Sequence, residues 1–214
     1  MKRYFLFIVL LAASISMASA QMELGVRGGF LTTNRSFKPD RKSSSVGNAN
    51  NYGLVVTNWG EKFWGIQWGI QAEVALAERG YKYLQGDTAD YKLTQQMVEV
   101  PLMAQLHLTY RAVSLFLNAG PYFGYVLKQT EELTRDGITT STDTKFLKGY
   151  DRRFQYGLTG GPGLNVHFGS IALQAEVRYY MGFAHLYNPA VEGVPSASKE
   201  TGLGMFVGLM YRFK

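Results

Sequence analysis

The sequence contains no cysteine. This absence excludes disulfides, a thiolate nucleophile, cysteine metal ligands and a lipid-modified N-terminal cysteine. Beyond the first twenty residues, no apolar run approaches the roughly 18 to 20 residues of a membrane-spanning helix, and no convincing 3.6-residue period appears. Basic residues are not gathered with stacking aromatics on one element, so a nucleic-acid partner is not expected. Without cross-links, the chain must fold by burial or by insertion into a bilayer.

The N-terminal segment is typical of a cleaved signal peptide. Lys2 and Arg3 precede an apolar run over residues 4–13, which is too short to span a membrane as a helix. Ala18 and Ala20 then give the small-x-small pattern that signal peptidase requires. We therefore predict that residues 1–20 are a signal peptide and that residues 21–214 form one exported domain; a retained N-terminal anchor is the alternative.

Alternation of apolar and polar residues dominates the exported part. In a strand, successive side chains point to opposite faces, so alternation over several residues predicts a strand with one apolar face. From residue 171 onward, one face consists of Ile171, Leu173, Ala175, Val177, Tyr179, Met181 and Phe183, and the other of Ala172, Gln174, Glu176, Arg178, Tyr180 and Gly182. Similar divisions place eight strands at about 22–31, 51–59, 63–82, 91–110, 113–127, 151–168, 170–186 and 201–213.

The connections between these strands differ in length. Tight links are predicted near 60–62, 111–112 and 169; long polar links at 32–50, 128–150 and 186–200; and an intermediate link at 85–90. An even number of strands joined by short turns on one side and long loops on the other is typical of outer-membrane barrels. The predicted fold is all-β: an eight-stranded antiparallel up-and-down transmembrane β-barrel with short periplasmic turns and long extracellular loops.

A soluble barrel would place the apolar face inside, and periodicity alone does not exclude it. Two features favour an apolar exterior. Several predicted strands exceed the roughly 9 to 11 residues needed to cross a bilayer. Aromatics also gather at the strand ends, as in the two girdles of membrane barrels. Those near the turns are Trp59, Phe63, Trp64, Trp68, Tyr110, Phe168, Tyr211 and Phe213, and those toward the loops are Tyr81, Tyr83, Tyr91, Tyr125, Tyr150, Tyr179 and Tyr187.

Charged residues occupy the predicted inward face. The candidates for an interior plug are Arg27, Glu73, Glu99, Glu176 and Arg178, and Glu23 and Arg212 share the same parity. Eight strands leave a lumen just wide enough for side chains to fill, and an unpaired charge there costs several kcal/mol. We therefore expect opposite charges to pair and close the lumen, with a proton or ion path as the alternative. Glycines on the inward parity are expected to make room for the rings of Phe116, Tyr122 and Phe206.

Three histidines, His107, His167 and His185, are the only side chains that titrate near neutral pH. No cysteine or acid pair at ligand spacing accompanies them, so neither a metal nor another cofactor is expected. No serine or acid stands beside His185 in an alternation that would complete a catalytic relay, and no catalytic residue is predicted.

The predicted loop 32–50 is basic. It carries Arg35, Lys38, Arg41 and Lys42 against the single acid Asp40. Facing outward, these cations would meet lipopolysaccharide phosphates or acidic glycans. The alternative is a solvated mobile loop.

Several segments in order resemble the PorT-like outer-membrane β-barrel family of the Bacteroidetes type. They are IQAEVALAERGYKY (70–83), VEVPLMAQL (98–106), LNAGPYFGYVL (117–127), GLTGGPGL (157–164), EVRYYMG (176–182) and GLMYRF (208–213). The resemblance implies the barrel fold and outer-membrane placement and carries no catalytic residue. One branch of the family is tied to protein secretion. The last strand also resembles the signal read by the barrel-insertion machinery, with Gly208, Tyr211 and Phe213 at the expected positions.

The sequence thus predicts a non-enzymatic outer-membrane barrel with a structural, assembly, secretion-accessory or loop-mediated binding role. The expected partners are outer-membrane lipid and lipopolysaccharide, the insertion machinery during biogenesis, and an envelope protein. A lipid-modifying barrel enzyme and a narrow pore remain the alternatives.

Overall fold

The computed structural model describes residues 21–38, 43–85, 89–135, 138–143, 153–184 and 197–213. The predicted signal peptide lies outside these ranges. Nine strands are present within them: β1 (Gln21–Lys38), β2 (Ser43–Phe63), β3 (Ile66–Gln85), β4 (Ala89–Tyr110), β5 (Val113–Arg135), β6 (Ile138–Asp143), β7 (Phe154–Phe168), β8 (Ile171–Gly182) and β9 (Ala197–Arg212). No helix among the described residues is long and apolar enough to span a membrane.

Eight of these strands close a barrel. They pair in the order β4–β3–β2–β1–β9–β8–β7–β5, every pairing is antiparallel, and β5 returns to β4. The ninth strand, β6, pairs with the end of β5, from Thr130↔Asp143 to Arg135↔Ile138, and extends the sheet beyond the barrel. Closure removes the edges of the sheet and pairs its backbone polar groups, as a bilayer requires. The predicted eight-stranded antiparallel barrel is confirmed.

The two faces of the barrel wall are sharply different. Exposed and buried side chains alternate along the whole of β8, where Val177 is 43% exposed and the next residue, Arg178, is 0% exposed. The exposed parity holds the large apolar residues on the other barrel strands as well, including Leu54, Leu76 and Leu117. The apolar face is therefore outside and the charged face inside, the reverse of a soluble barrel.

Three tight turns and both ends of the described chain share one end of the barrel, which we call the turn end. Turns at 111–112 and 169–170 lie where the sequence predicts them. The predicted turn at 60–62 is wrong, because β2 continues to Phe63 and the turn consists of Trp64 and Gly65. These two residues have φ of 51° and 82°, the left-handed pair that matches strand twist in a two-residue hairpin. Residue 60 instead lies in an irregularity of the β2–β3 pairing, against the Trp68 indole.

The opposite end, which we call the hairpin end, contains more strand than the sequence predicts. The predicted loop 32–50 is largely the paired ends of β1 and β2, and the predicted loop 128–150 contains the end of β5 and all of β6. Backbone pairing continues in these polar segments because the ladder needs no apolar face. Ion pairs across it, such as Lys92 Nζ to Glu132 Oε2 at 2.9 Å, add to the pairing.

Most of the predicted aromatic girdle at the turn end points outward, including Phe63, Trp64, Tyr110 and Phe168. The remaining outward members are Trp68, Tyr211 and Phe213 at this end and Tyr125 and Tyr179 toward the hairpins. Tyr150 and Tyr187 lie outside the described residues, nothing is described of the Tyr83 side chain, and Tyr91 is half-buried on the inward parity of Leu93. Two further assignments to the girdles are wrong. Trp59 and Tyr81 are buried inside the barrel, because they share the inward parity of Thr57 and Arg79 on their strands.

Glycines receive the large interior rings, as predicted. A Cβ added to Gly163 would lie 2.0 Å from Cζ of Phe116, and one added to Gly157 would lie 2.7 Å from Cε1 of Tyr122. The Phe116 ring is also stacked on the His107 ring at a centroid distance of 5.0 Å. Such a ring cannot move aside without disturbing its neighbours.

We expect Gly163→Val to destabilise the folded barrel by about 1 to 3 kcal/mol, because the added methyl groups overlap the confined Phe116 ring. Urea unfolding of the refolded protein measures the effect. Ala175→Val, which adds volume to the outward face of the neighbouring strand, is the matched control. Equal unfolding midpoints for the two variants would contradict this packing.

Candidate functional site in the barrel interior

Four interior charges meet halfway along the barrel: Arg27, Glu73, Glu176 and Arg178, which we call the central cluster. Arg178 donates to both carboxylate oxygens of Glu73, at 3.0 and 2.9 Å. It also donates to Glu176 through Nε at 2.6 Å and through Nη2 at 2.8 Å. Arg27 Nη2 lies 2.6 Å from Glu73 Oε2, as an ion pair without an aligned hydrogen bond. With two cations and two anions, the central cluster is formally neutral.

Neutral side chains complete the coordination of the two carboxylates. Asn118 Nδ2 donates to Glu176 at 2.9 Å, Gln71 donates to Glu73, and Gln105 donates to Gln71. The Phe206 ring centroid lies 4.3 Å from the Arg27 guanidinium and 5.3 Å from that of Arg178. These contacts offset the loss of hydration that burial of four charges entails.

A second group of charges lies toward the hairpin end and consists of Arg35, Arg79, Glu99 and Glu200, which we call the outer cluster. Arg79 donates to Glu99 and Glu200 with separate nitrogens, and Arg35 donates to the other oxygen of Glu200. All four residues are at most 5% exposed. The Tyr122 and Tyr180 ring centroids lie 4.8 and 4.5 Å from the Arg79 guanidinium. This cluster, too, is formally neutral.

The structure therefore divides the predicted plug residues between two sites. Arg27, Glu73, Glu176 and Arg178 come together, whereas Glu99 belongs to the outer cluster. Arg35, Arg79 and Glu200 were not predicted as interior residues, although their parity along β1, β3 and β9 marks them as inward.

The position predicted for Arg35 is wrong. It is not a loop cation facing the exterior: its side chain is 3% exposed and bound to Glu200, because β1 continues through this position with the inward parity of Arg27. Residues 40–42 lie outside the described ranges. Nothing is described of the Lys38 side chain.

A separate ion pair, outside both clusters, lies at the turn end and joins Glu23 to Arg212. Glu23 Oε2 accepts from Arg212 Nε and lies 3.0 Å from both Nε and Nη2 of that guanidinium. Trp59 Nε1 donates to the same oxygen at 3.3 Å, and the Trp59 ring lies 5.2 Å below the Arg212 guanidinium.

His107 and His167 lie on β4 and β7, the two strands that pair with β5. His107 is buried between the rings of Trp59 and Phe116. His167 Nε2 lies 2.8 Å from Ser114 Oγ, which in turn lies 2.8 Å from Thr109 Oγ1. His185 lies outside the described residues. Within the described ranges, no group of three or more His, Asp or Glu side chains is placed to hold a metal ion.

The Ser114–His167 contact has the spacing of a serine nucleophile and its base. Ser114 is 0% exposed, however, and its hydroxyl is shared with Thr109. A substrate carbonyl has no approach to this oxygen, so the pair has the geometry of a packed polar contact.

The predicted insertion signal lies on β9 and just beyond it. Gly208 is inward, whereas Tyr211 and Phe213 are outward and pack edge to face at 5.0 Å. Tyr211 also stands opposite Leu24 of β1 and Ile171 of β8.

At the hairpin end, the β5–β6 extension is ordered by polar side chains. Lys128 Nζ lies 2.9 Å from Asp143 Oδ2, and Thr130 Oγ1 donates to Asp143 Oδ1 at 3.0 Å. These hydrogen bonds, led by that from Lys128, hold the pKa of the Asp143 carboxyl below its usual value. Thr134 and Thr139 share a further bond at 2.9 Å. The extension thus presents residues 139–143 to the exterior as a defined strand.

Several known proteins are similar to this chain. Among solved structures, the chain is similar to OprG from Pseudomonas aeruginosa, at 18% identity over 91% of this chain and 97% of that one, with a TM-score of 0.49. It is also similar to Ail, the attachment invasion locus protein of Yersinia pestis, at 17% identity over 89% and 98% of the two chains and a TM-score of 0.44. A third is the outer membrane protease OmpT from Escherichia coli, at 10% identity over 92% and 99% and a TM-score of 0.46.

Attachment, invasion and proteolysis are named for those proteins only. No curated protein matches the sequence. The family model described as "Outer membrane protein beta-barrel domain" matches residues 16–188, most of the chain. The protein is therefore an integral β-barrel of the outer membrane and belongs to the outer membrane protein beta-barrel domain family.

Proposed function

We propose that this protein is a non-enzymatic, non-conducting barrel that anchors its external hairpins in the outer membrane and presents them to an envelope partner. The observation that carries the proposal is the pair of neutral clusters in the lumen. Each joins two arginines to two glutamates from strands on different sides of the barrel, so the side chains bridge the space that a pore would need.

The burial of the Ser114 hydroxyl supports a non-enzymatic role. Ser114 belongs to the one serine–histidine pair at hydrogen-bond distance among the described residues, and it is 0% exposed. The ordered β5–β6 extension supports the presenting role, since its outer strand offers backbone groups and threonine hydroxyls to a partner.

The finer assignments belong to the same proposal. They are membership of the PorT-like branch, removal of residues 1–20, recognition of Gly208, Tyr211 and Phe213 by the insertion machinery, and contact with outer-membrane lipid and lipopolysaccharide. The apolar exterior fits the lipid contact. The recognition role is supported by the position of Gly208 and Tyr211 on β9, the strand that pairs with β1, and of Phe213 just beyond it.

We expect wild-type protein in a planar bilayer to show no steady single-channel current, because both clusters and the rings of Phe116, Tyr122 and Phe206 fill the lumen. Combined trimming of Phe116, Tyr122 and Arg178 to alanine is expected to create leakage if the trimmed barrel folds. A stable ohmic channel in the unmodified protein would overturn the closed barrel and support the narrow pore.

The enzyme alternative has a separate test. Incubation of the folded protein with labelled lipopolysaccharide is expected to leave every acyl chain and sugar in place. Release of label by wild type but not by His167→Ala would overturn the non-enzymatic role.

A further inference from the structure

A polar cavity opens at the turn end of the lumen, the end that the sequence predicts to face the periplasm. Its volume is about 470 Å³, within the range of small-molecule sites. Its lining comes from β2, β3, β4, β7 and β9 and from two of the tight turns, and it includes Trp59, Glu61, Lys62, Arg111, His167 and Arg212. It is separate from the central and outer clusters.

The lining is electropositive. The lining contains three cations, Lys62, Arg111 and Arg212, and one carboxylate, Glu61. If Glu23, which pairs with Arg212, is counted as well, the site still has one net positive charge. Of the described carboxylates, none lies within ion-pair distance of Lys62 or Arg111. The three cations come from positions far apart in the sequence, yet the barrel brings them to one cavity.

Two of these cations are held in place. Arg212 contacts Glu23 through Nε and through Nη2, so the third guanidinium nitrogen, Nη1, takes no part in that ion pair. Its side chain is 27% exposed. Arg111 occupies a turn with φ of 53°, and its guanidinium lies 5.4 Å from the Tyr110 ring centroid. An arginine fixed by an aromatic ring loses little freedom when it binds an anion.

Neutral donors complete the cavity. Thr109 and His167, joined through Ser114, line the cavity together with Gln67 of β3, the strand next to that of Thr109. The Gln67 amide donates to the Gly60 carbonyl at 3.2 Å. Arginine, lysine and hydroxyl donors converging on one space suit a phosphate, which accepts several charge-assisted hydrogen bonds at once.

We propose that the periplasmic mouth of the barrel is a binding site for a phosphate group. Outward aromatics at the same end place the cavity at the level of the lipid headgroups. The phosphate can therefore belong to a phospholipid of the inner leaflet or to a solute of the periplasm.

Nuclear magnetic resonance of ¹⁵N-labelled protein in non-ionic detergent tests the site. The Trp59 indole N–H, identified by its loss in Trp59→Phe, is the reporter, because this ring lines the cavity. Inorganic phosphate is one titrant and dihexanoyl phosphatidylglycerol is the other, with sodium chloride at matched ionic strength as the reference. A saturable shift of the Trp59 indole resonance with inorganic phosphate but not with the lipid identifies a solute site. A saturable shift of this resonance with the lipid identifies a headgroup site.

The double variant Lys62→Gln/Arg111→Gln is expected to raise the dissociation constant by about tenfold or more. Both positions are exposed, and the heat-dependent gel migration of the variant verifies its fold. Lys82→Gln, an exposed position at the far end of β3, is the matched control and should bind as wild type does. Equal responses to phosphate and chloride, unchanged affinity in the double variant, or saturation by neither titrant would overturn the proposal.

Discussion

Arg178→Met is expected to destabilise the folded barrel by about 3 to 5 kcal/mol. Arg178 makes four hydrogen bonds, two to Glu73 and two to Glu176, and all three residues are buried. Methionine approximates the length of the side chain but leaves Glu176 with only the Asn118 amide and Glu73 with one cation. Urea unfolding in lipid vesicles, followed by tryptophan fluorescence, measures the loss.

The control is Arg135→Met, an exposed arginine at the end of β5. Its loss should change the free energy of unfolding by less than about 0.5 kcal/mol. Adding Glu176→Gln to Arg178→Met should recover part of the stability, because it removes the carboxylate that the first change leaves unpaired. If Arg178→Met and Arg135→Met cost the same, the central cluster does not stabilise the barrel.

Val177→Arg should cost about 2 to 4 kcal/mol, because it places a charge on the lipid face at mid-height of β8. Val177 precedes Arg178 in the chain, and the two side chains lie on opposite faces of the barrel wall. Arg178→Met removes an arginine from the inner face, whereas Val177→Arg adds one to the outer face. Val113→Arg is the control: it has the same outward parity but lies beside the turn at 111–112, where the penalty falls to about 0 to 1 kcal/mol. Equal penalties at the two depths would mean that the bilayer does not surround the barrel at this level.

The sequence predicts the barrel well where the outward face is apolar. Along β8 each residue lies on its predicted side, from Ile171 to Gly182. This success has a physical basis, since lipid tolerates only apolar residues on one parity and leaves the other free to carry charge.

Prediction weakens where the strands leave the bilayer. Arg79, Arg35 and Glu200 keep the inward parity, but their outward neighbours face water and are polar, as at Glu78, Asn34 and Lys199. The alternation in hydrophobicity disappears there, although the strand and its pairing continue. The alternation in hydrophobicity therefore does not reveal the outer cluster.

The alternation of apolar and polar residues also does not predict which interior charges pair with one another. Parity indicates that Glu99 is inside, yet its partner Arg79 is fixed by the register between β3 and β4 and by which side chains meet across the lumen. The sequence predicts the turn at 60–62 and not at Trp64–Gly65, because Gly60 gives the same local turn signal as Gly65. Only the latter has positive φ.

The ion pairs of the lumen also connect distant parts of the chain, which has a consequence for assembly. Arg35 is separated from Glu200 by 165 residues, Arg79 from Glu200 by 121, and Arg178 from Glu73 by 105. Until β8 and β9 arrive, the cations and carboxylates of β1 and β3 lack these partners and would enter lipid only at great cost. Strand-by-strand insertion from the N-terminus is therefore disfavoured, and commitment to the bilayer must follow synthesis of the last strand, whose pairing with β1 closes the ring and neutralises its contents in a single event.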